Sequence, residues 1–131
     1  MAQLVEIGEK ESWELLAERP ICRVGWNGSD GPDVLPLNYV VFDGALWLRT
    51  SAHSALSQEI DDTQVAILVD RLDDDAEVGW SVQVRGVAEV HYSVDTVPPE
   101  VQNLQTWAGG ARPLWIKVKP TAINGRRLSA D

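Results

Sequence analysis

The chain has 131 residues, of which 20 are acidic and 11 are basic, so its formal net charge is −9 at pH 7. This charge argues against a nucleic-acid partner, because the phosphate backbone selects basic surfaces. Apolar residues make up 44% of the chain, but no apolar run approaches the roughly 20 residues of a membrane-spanning helix. The composition therefore predicts one folded domain over residues 1–131 and no membrane association.

Cysteine content and the N-terminus indicate the compartment. The single cysteine, Cys22, excludes a disulfide within the chain. The N-terminal residues are not basic and contain no apolar leader. We therefore expect a cytoplasmic protein.

The first half of the chain predicts a helix followed by strands and short turns. Trp13, Leu16 and Ala17 lie at helical spacing and predict a helix at Glu11–Glu18 that ends before Pro20. Alternating apolar residues predict strands at Ile21–Trp26, Asp33–Phe42 and Ala45–Thr50. The turn signals between them are Asn27–Gly31 and Asp43-Gly44. Pro36 indicates an edge or a bulge in the second strand.

A long strand at Gly79–Tyr92 dominates the second half. One of its faces is predicted to join the core, and this face carries Trp80, Val82, Val84, Gly86, Ala88, Val90 and Tyr92. The opposite face carries Ser81, Gln83 and Arg85, which would form a polar wall for a ligand. Gly86 predicts a bulge.

Shorter elements flank this strand. A helix is predicted at Ala55–Ile60, and the apolar run Val65–Val69 predicts a strand at Gln64–Asp70 that is buried on both faces. An acidic loop is predicted at Leu72–Val78. After the long strand we expect a helix at Pro98–Trp107 and strands at Leu114–Lys119 and Thr121–Leu128. About seven antiparallel strands with few helices predict a mainly β fold, a closed or nearly closed barrel.

A candidate anion site follows the third strand, in Arg49-Thr50-Ser51-Ala52-His53-Ser54. A guanidinium, hydroxyl groups and the unpaired amides of a helix start are the groups that bind phosphate. The alternative is structural: Ser54 caps the helix and Arg49 pairs with a nearby acid.

A second candidate is Pro36-Leu37-Asn38-Tyr39, where a proline-broken strand leaves backbone groups free to meet the edge of a planar ring. The six tryptophans either fill the core or lie beside such a ring. The basic residues from Arg112 onward form a surface of ion pairs, an anion site or a contact with an acidic partner. His53 and His91 are far apart in sequence, so no metal site is predicted. Since catalytic motifs are missing, a cofactor would have to carry any chemistry.

These residues together resemble the pyridoxamine 5′-phosphate oxidase-like family of flavin-binding split barrels, especially its small bacterial members. The similarity runs along nearly the whole chain. The matching stretches are Asp33–Val41, Asp43-Gly44, Leu48–Thr50, Val69-Asp70, Gly79–Val82, Gly86–Ala88, Trp107, Trp115-Ile116 and Ile123–Leu128.

The resemblance implies a six-stranded antiparallel split β-barrel, and a homodimer with FMN at the subunit interface. The phosphate would be held by the strand end and turn that carry Arg49, Thr50, Ser51, His53 and Ser54. The flavin ring would lie along Leu37, Asn38 and Tyr39. Further contacts would come from Trp80 and Ser81, and from Arg126 across the interface.

One position departs from the family pattern. Members commonly have a lysine that pairs with the phosphate where this chain has Ala55. The loss of such a charged hydrogen bond weakens binding by roughly 1.5–3 kcal/mol, which His53 would offset in part.

The resemblance therefore implies an FMN-dependent oxidoreductase that acts on a small substrate. Two alternatives remain open. One is a protein that binds or sequesters a flavin, a deazaflavin or a haem-type planar ligand without turnover, and the other is a cofactor-free dimeric relative.

Overall fold

The computed structural model of the chain describes residues 2–130. Its strands are β1 (Gln3–Ile7), β2 (Ile21–Gly28), β3 (Gly31–Phe42), β4 (Ala45–Thr50), β5 (Gln64–Asp73), β6 (Val78–His91) and β7 (Leu114–Ser129). Its helices are α1 (Glu9–Leu16), α2 (Ala55–Glu59) and α3 (Pro99–Gln102), and a 3₁₀ turn spans Val94–Thr96. In this part of the chain the longest helix has 8 residues, and none has the length and apolar character needed to cross a bilayer.

Six strands close an antiparallel ring in the order β2, β3, β4, β7, β6 and β5, and β5 returns to β2. The seventh, β1, pairs with the last residues of β7. This arrangement confirms the predicted mainly β fold and the six-stranded antiparallel split barrel. The barrel is open on one side, because β3 and β4 pair only over Tyr39–Phe42. Pro36 therefore lies on an edge, as predicted.

The long strand β6 supplies much of the core. Trp80, Val82, Val84, Ala88 and Val90 are buried, while the residues between them face outward. The predicted bulge is confirmed, because the pairing with β7 shifts register between Arg85 and Gly86. Tyr92 was wrongly assigned to the buried face: it lies beyond the strand and is 65% exposed.

The two predicted strands at Leu114–Lys119 and Thr121–Leu128 are one continuous strand, β7. Pro120 was expected to separate them because it cannot donate to a ladder. Pro120 instead lies opposite Gly86 at the bulge, and Thr121 is the residue that the register skips. The Thr121 hydroxyl donates to the Arg85 carbonyl at 3.2 Å, which secures the irregular step.

The helix predicted at Pro98–Trp107 is also wrong in extent, because only Pro99–Gln102 is helical. Val101 is the one buried residue of this short helix. Beyond the helix, the backbone of Leu104 and Trp107 hydrogen-bonds to the side chains of Arg49 and Asn38 instead. The strand β5 is not buried on both faces: Val65, Ile67 and Val69 point inward and Leu68 is 37% exposed. It also extends to Asp73 and shortens the predicted acidic loop.

β1 was missed, because its residues are nearly all exposed and show no alternation. Its hydrogen-bonded partners lie more than a hundred positions away in sequence, from Gly125 to Ser129. Local pattern carries no information about such a pairing.

Alkaline pH is expected to destabilise the barrel through the buried thiol of Cys22. Burial raises the pKa of Cys22 from 9.0 to about 12. The unfolded chain therefore loses this proton first, and stability falls as pH rises from about 9 towards 12, by up to about 1.4 kcal/mol per pH unit. Urea unfolding between pH 8 and 11 checks this, with Cys22→Ala as the control. The stability advantage of the wild type over that variant should shrink with pH, and a constant difference would contradict the expectation.

Candidate functional site

A cleft of about 290 Å³ opens where β3 separates from β4. One wall comes from β2 and β3, and contains Ile21, Pro36, Leu37 and Asn38. Arg49 of β4 forms the floor, and the opposite wall comes from the segment after α3, through Thr106, Trp107, Ala108 and Arg112. Three residues predicted from the sequence, Leu37, Asn38 and Arg49, thus meet in one cavity.

The outer wall is a segment without regular secondary structure, residues 104–112, which we call the strap. Side chains of the barrel hold it at three points. Asn38 Oδ1 accepts a hydrogen bond of 2.8 Å from the backbone N–H of Trp107. Arg49 donates from Nη1 to the carbonyl of Leu104 at 3.1 Å and from Nε to the carbonyl of Arg112 at 2.8 Å. The strap therefore depends on Asn38 and Arg49 for its position.

Two guanidinium groups give the cleft its positive charge. The Arg49 group stacks 4.6 Å from the centre of the Trp115 ring. Its hydrogen-bond acceptors are carbonyls rather than the acid proposed as the structural alternative. Arg112 Nε is buried and finds no hydrogen-bond partner among residues 2–130. An unpaired buried donor is costly, so an anionic group in the cleft would be favourable here.

The hydroxyl groups predicted to hold phosphate form their own network beside the cleft. Ser54 Oγ accepts from the Ser57 N–H at 3.1 Å, which confirms Ser54 as the N-cap of α2. Thr50 Oγ1 donates to Ser54 Oγ at 3.2 Å, and Ser54 donates to the Ser51 carbonyl. His53 is exposed. Because successive strand residues face opposite sides, Thr50 points inward while Arg49 points towards the cleft.

Two of the predicted contact residues belong to the core. Tyr39 is 4% exposed, and its hydroxyl donates to the Leu16 carbonyl. Burial raises the pKa of this phenol above its usual value. Trp80 is 6% exposed and packs within the barrel.

Ser81 and Arg126 are register partners on β6 and β7. Arg49 faces Trp115 across β4 and β7, whereas Arg126 lies on the part of β7 beyond the bulge. Neither Ser81 nor Arg126 lines the cleft. A single copy of the chain therefore does not bring Arg126 to the cleft.

Other predicted clusters have structural partners. Arg127 pairs with Glu11 at 2.5 Å, and Lys117 lies 5.7 Å from the Trp47 ring, so part of the basic C-terminal segment is engaged within the chain. Four of the six tryptophans are buried: Trp26, Trp47, Trp80 and Trp115. Within residues 2–130, no three His, Cys, Asp or Glu side chains gather as metal ligands would.

Sequence reasoning assigned no role to Thr106, offered Arg112 only as part of a basic segment with an anion site as one interpretation, and placed Trp107 in a helix. Trp107 is 74% exposed at the mouth of the cleft. No periodicity marks an irregular segment, and the signals that the sequence offers there are Gly109-Gly110, a helix stop, and the basic residue Arg112.

The fold and the cleft define a class: a small antiparallel split barrel with a cationic, apolar cleft at its open edge. Comparison with known proteins identifies the family. A sequence model described as pyridoxamine 5′-phosphate oxidase matches residues 8–127. The chain therefore belongs to the pyridoxamine 5′-phosphate oxidase family.

Individual relatives agree with this assignment. An uncharacterized protein of Mycobacterium tuberculosis is 28% identical over 134 residues, which cover 98% of this chain and 88% of that protein. A candidate pyridoxamine 5′-phosphate oxidase from Corynebacterium glutamicum has a similar structure, with a TM-score of 0.79, 26% identity and coverage of 98% and 95% of the two chains. A FAD binding protein from Mycobacterium smegmatis gives a TM-score of 0.74 at 26% identity, with 95% and 98% covered.

Proposed function

We propose that the protein binds a flavin in the cleft at a homodimer interface and acts as an FMN-dependent oxidoreductase on a small substrate. The observation that carries the proposal is the combination of an open, unpaired strand edge with two guanidinium groups in one apolar cleft. The family assignment supports a flavin. The likeness to a FAD binding protein makes FAD the second form to test.

The residues present fit such a ligand. The buried Arg112 Nε, which finds no partner among residues 2–130, suits an anionic group. The cavity of about 290 Å³ lies at the lower limit of ligand pockets, which begin at roughly 300 Å³. A flavin would therefore require a further wall, which a second copy of the chain would supply. The pair Ser81 and Arg126 would be available for that contact.

A bound flavin would accept and return a hydride or electrons, chemistry that amino-acid side chains do not provide. The chain's own residues would bind and orient it. Backbone groups on the open edge of β3, next to Pro36, would hydrogen-bond the polar rim of the ring. Leu37 would exclude water on that side, and Arg112 would neutralise the phosphate.

The first experiment is the visible spectrum of the purified protein, before and after incubation with FMN or FAD and removal of unbound ligand. A retained flavin spectrum is expected. A protein that retains neither FMN nor FAD at any concentration tested would contradict the proposal. Reduction of the bound flavin by a nicotinamide donor, followed by reoxidation, would then establish turnover.

A non-catalytic binding protein is the second candidate. Among residues 2–130, the cleft lining contains no histidine or carboxylate that could act as an acid or base. Ala55 also lacks the cation common in the family. Retained flavin, deazaflavin or haem that no donor reduces would favour this reading.

Arg112→Ala is expected to lower the affinity for FMN by about ten- to a hundredfold, since a charged hydrogen bond contributes about 1.5–3 kcal/mol. Riboflavin, which lacks the phosphate, should bind as before. Isothermal titration with both ligands makes the comparison. Ala55→Lys tests the other phosphate position: it should leave FMN affinity unchanged if Arg112 holds the phosphate. A gain with Ala55→Lys and no loss with Arg112→Ala would place the phosphate at the start of α2.

A further inference from the structure

The hydrogen bonds within the strap are exposed ones: Thr106 Oγ1 donates to the Ala108 carbonyl at 3.0 Å and Arg112 Nη2 donates to the Gly109 carbonyl at 3.5 Å. Residues 104–113 form neither helix nor strand, and 107–111 are all exposed. Gly110 has a φ of +92°, a conformation that disfavours other residues. Such a segment has little local free energy to hold a unique position. Its attachment to the barrel is therefore decided by a few hydrogen bonds.

Those bonds fall at the two ends and the middle of the strap. Arg49 binds the carbonyls of Leu104 and Arg112, and Asn38 binds the N–H of Trp107. The two side chains project from neighbouring strands. Each is fixed by a second contact: Asn38 Nδ2 donates to the Pro20 carbonyl at 3.2 Å, and Arg49 stacks on Trp115.

We propose that Asn38 and Arg49 are positioning residues that fasten the strap as a displaceable wall of the cleft. Both ends of the Asn38 amide are occupied and the residue is 7% exposed, so its polar atoms bind the strap and the Pro20 carbonyl, just before β2, rather than a ligand. Arg49 likewise directs two donors to strap carbonyls. The same two residues that resemblance assigns to ligand contact thus control whether Trp107 and Arg112 face the cleft.

This inference rests on the proposed function only for the identity of the ligand. If the strap forms a wall of the cleft, its position should change the affinity for any flavin that binds there, whether or not that flavin carries a phosphate. A residue that only grips phosphate would affect FMN alone. The two roles of Arg49 therefore differ in the behaviour of riboflavin.

The fastening is tested first without ligand, by NMR amide hydrogen exchange of the whole chain. In Asn38→Ala and in Arg49→Ala, the Trp107 amide, which donates to Asn38, should exchange about five- to tenfold faster, the effect of losing about one hydrogen bond. Asn38→Asp keeps an acceptor for Trp107, so its Trp107 amide should stay protected. Arg71→Ala, an exposed arginine on β5, is the matched control and should match the wild type. Amides of β6 report that each variant is folded.

Unchanged exchange of the Trp107 amide in both Asn38→Ala and Arg49→Ala, with β6 protected, would overturn the proposal. A second measurement compares ligand affinities. Arg49→Ala should lower the affinity for FMN and for riboflavin by similar factors of about ten. A loss confined to FMN would instead make Arg49 a phosphate ligand and would also overturn the proposal. Failure of the wild type to bind any flavin would refute the proposed function, while the exchange result would still decide the role of the strap residues.

Discussion

Trp80→Ala is expected to lower the free energy of unfolding by about 4 kcal/mol, the usual cost of removing a large buried aromatic ring. Trp80 is 6% exposed and packs among the inward residues of β6 and its neighbours. The truncated side chain would leave a cavity that the closed strand ring cannot collapse to fill. Urea unfolding at one fixed protein concentration gives the value, because a dimer would make stability depend on concentration.

Trp80→Phe is the matched variant, since it keeps an aromatic ring in the core. It should lose less than half as much stability as Trp80→Ala and remain folded at 25 °C. The resemblance placed Trp80 in the flavin site, so the flavin affinity of each variant is measured as well. A small loss of stability in Trp80→Ala, together with a large loss of flavin affinity, would show that the ring serves the site rather than the core.

Gly86→Ala is expected to cost about 3 kcal/mol, at the upper end of the range for overpacking. A Cβ at this position would overlap the backbone carbonyl of Lys119 and approach Val118 Cγ1 to 3.0 Å. The neighbouring backbone belongs to the bulge between β6 and β7, so it cannot move without breaking the register that follows. Thermal and urea unfolding measure the loss.

Gly25→Ala is the control for that experiment. Its Cβ would meet only the carbonyls of Asp33 and Ala66, at the ordinary distances of 3.7 and 3.9 Å. It should change stability by less than about 1 kcal/mol. Equal effects in the two variants would mean that glycine in any strand of this barrel is replaceable at the same cost, and that the bulge has no special requirement.

Several features of the fold follow from local pattern, and these were predicted correctly. The strand β4 has the predicted bounds, and the inward row of β6 is buried from Trp80 to Val90. The turn at Asp43-Gly44 has φ values of +49° and +72°, which this pair of residues tolerates. A period of two and a turn signature are properties of neighbouring residues, so the sequence displays them directly.

The site was only partly predictable for the same reason. Leu37, Asn38 and Arg49, which line the cleft, were named because a proline-broken edge and a strand end have recognisable signatures. Thr106 was not named, and Arg112 was named only as part of a basic segment, because both lie in a stretch without period or motif. Tyr39 was assigned to the ring site although it faces the core, since a short stretch of strand does not show which of its faces is inward when both carry apolar residues.

The sequence alone determined that this is a single-cysteine, acidic, mainly β chain of the pyridoxamine 5′-phosphate oxidase family, with a long half-buried strand and a cation at the end of β4. The tertiary structure decided where the barrel opens, which side chains occupy the cleft, and what Arg49 binds. Arg49 and its two carbonyl partners are 55 and 63 residues apart in sequence. Contacts at such separation depend on strand pairing and closure of the ring, which bring distant residues together without leaving a local pattern in the chain.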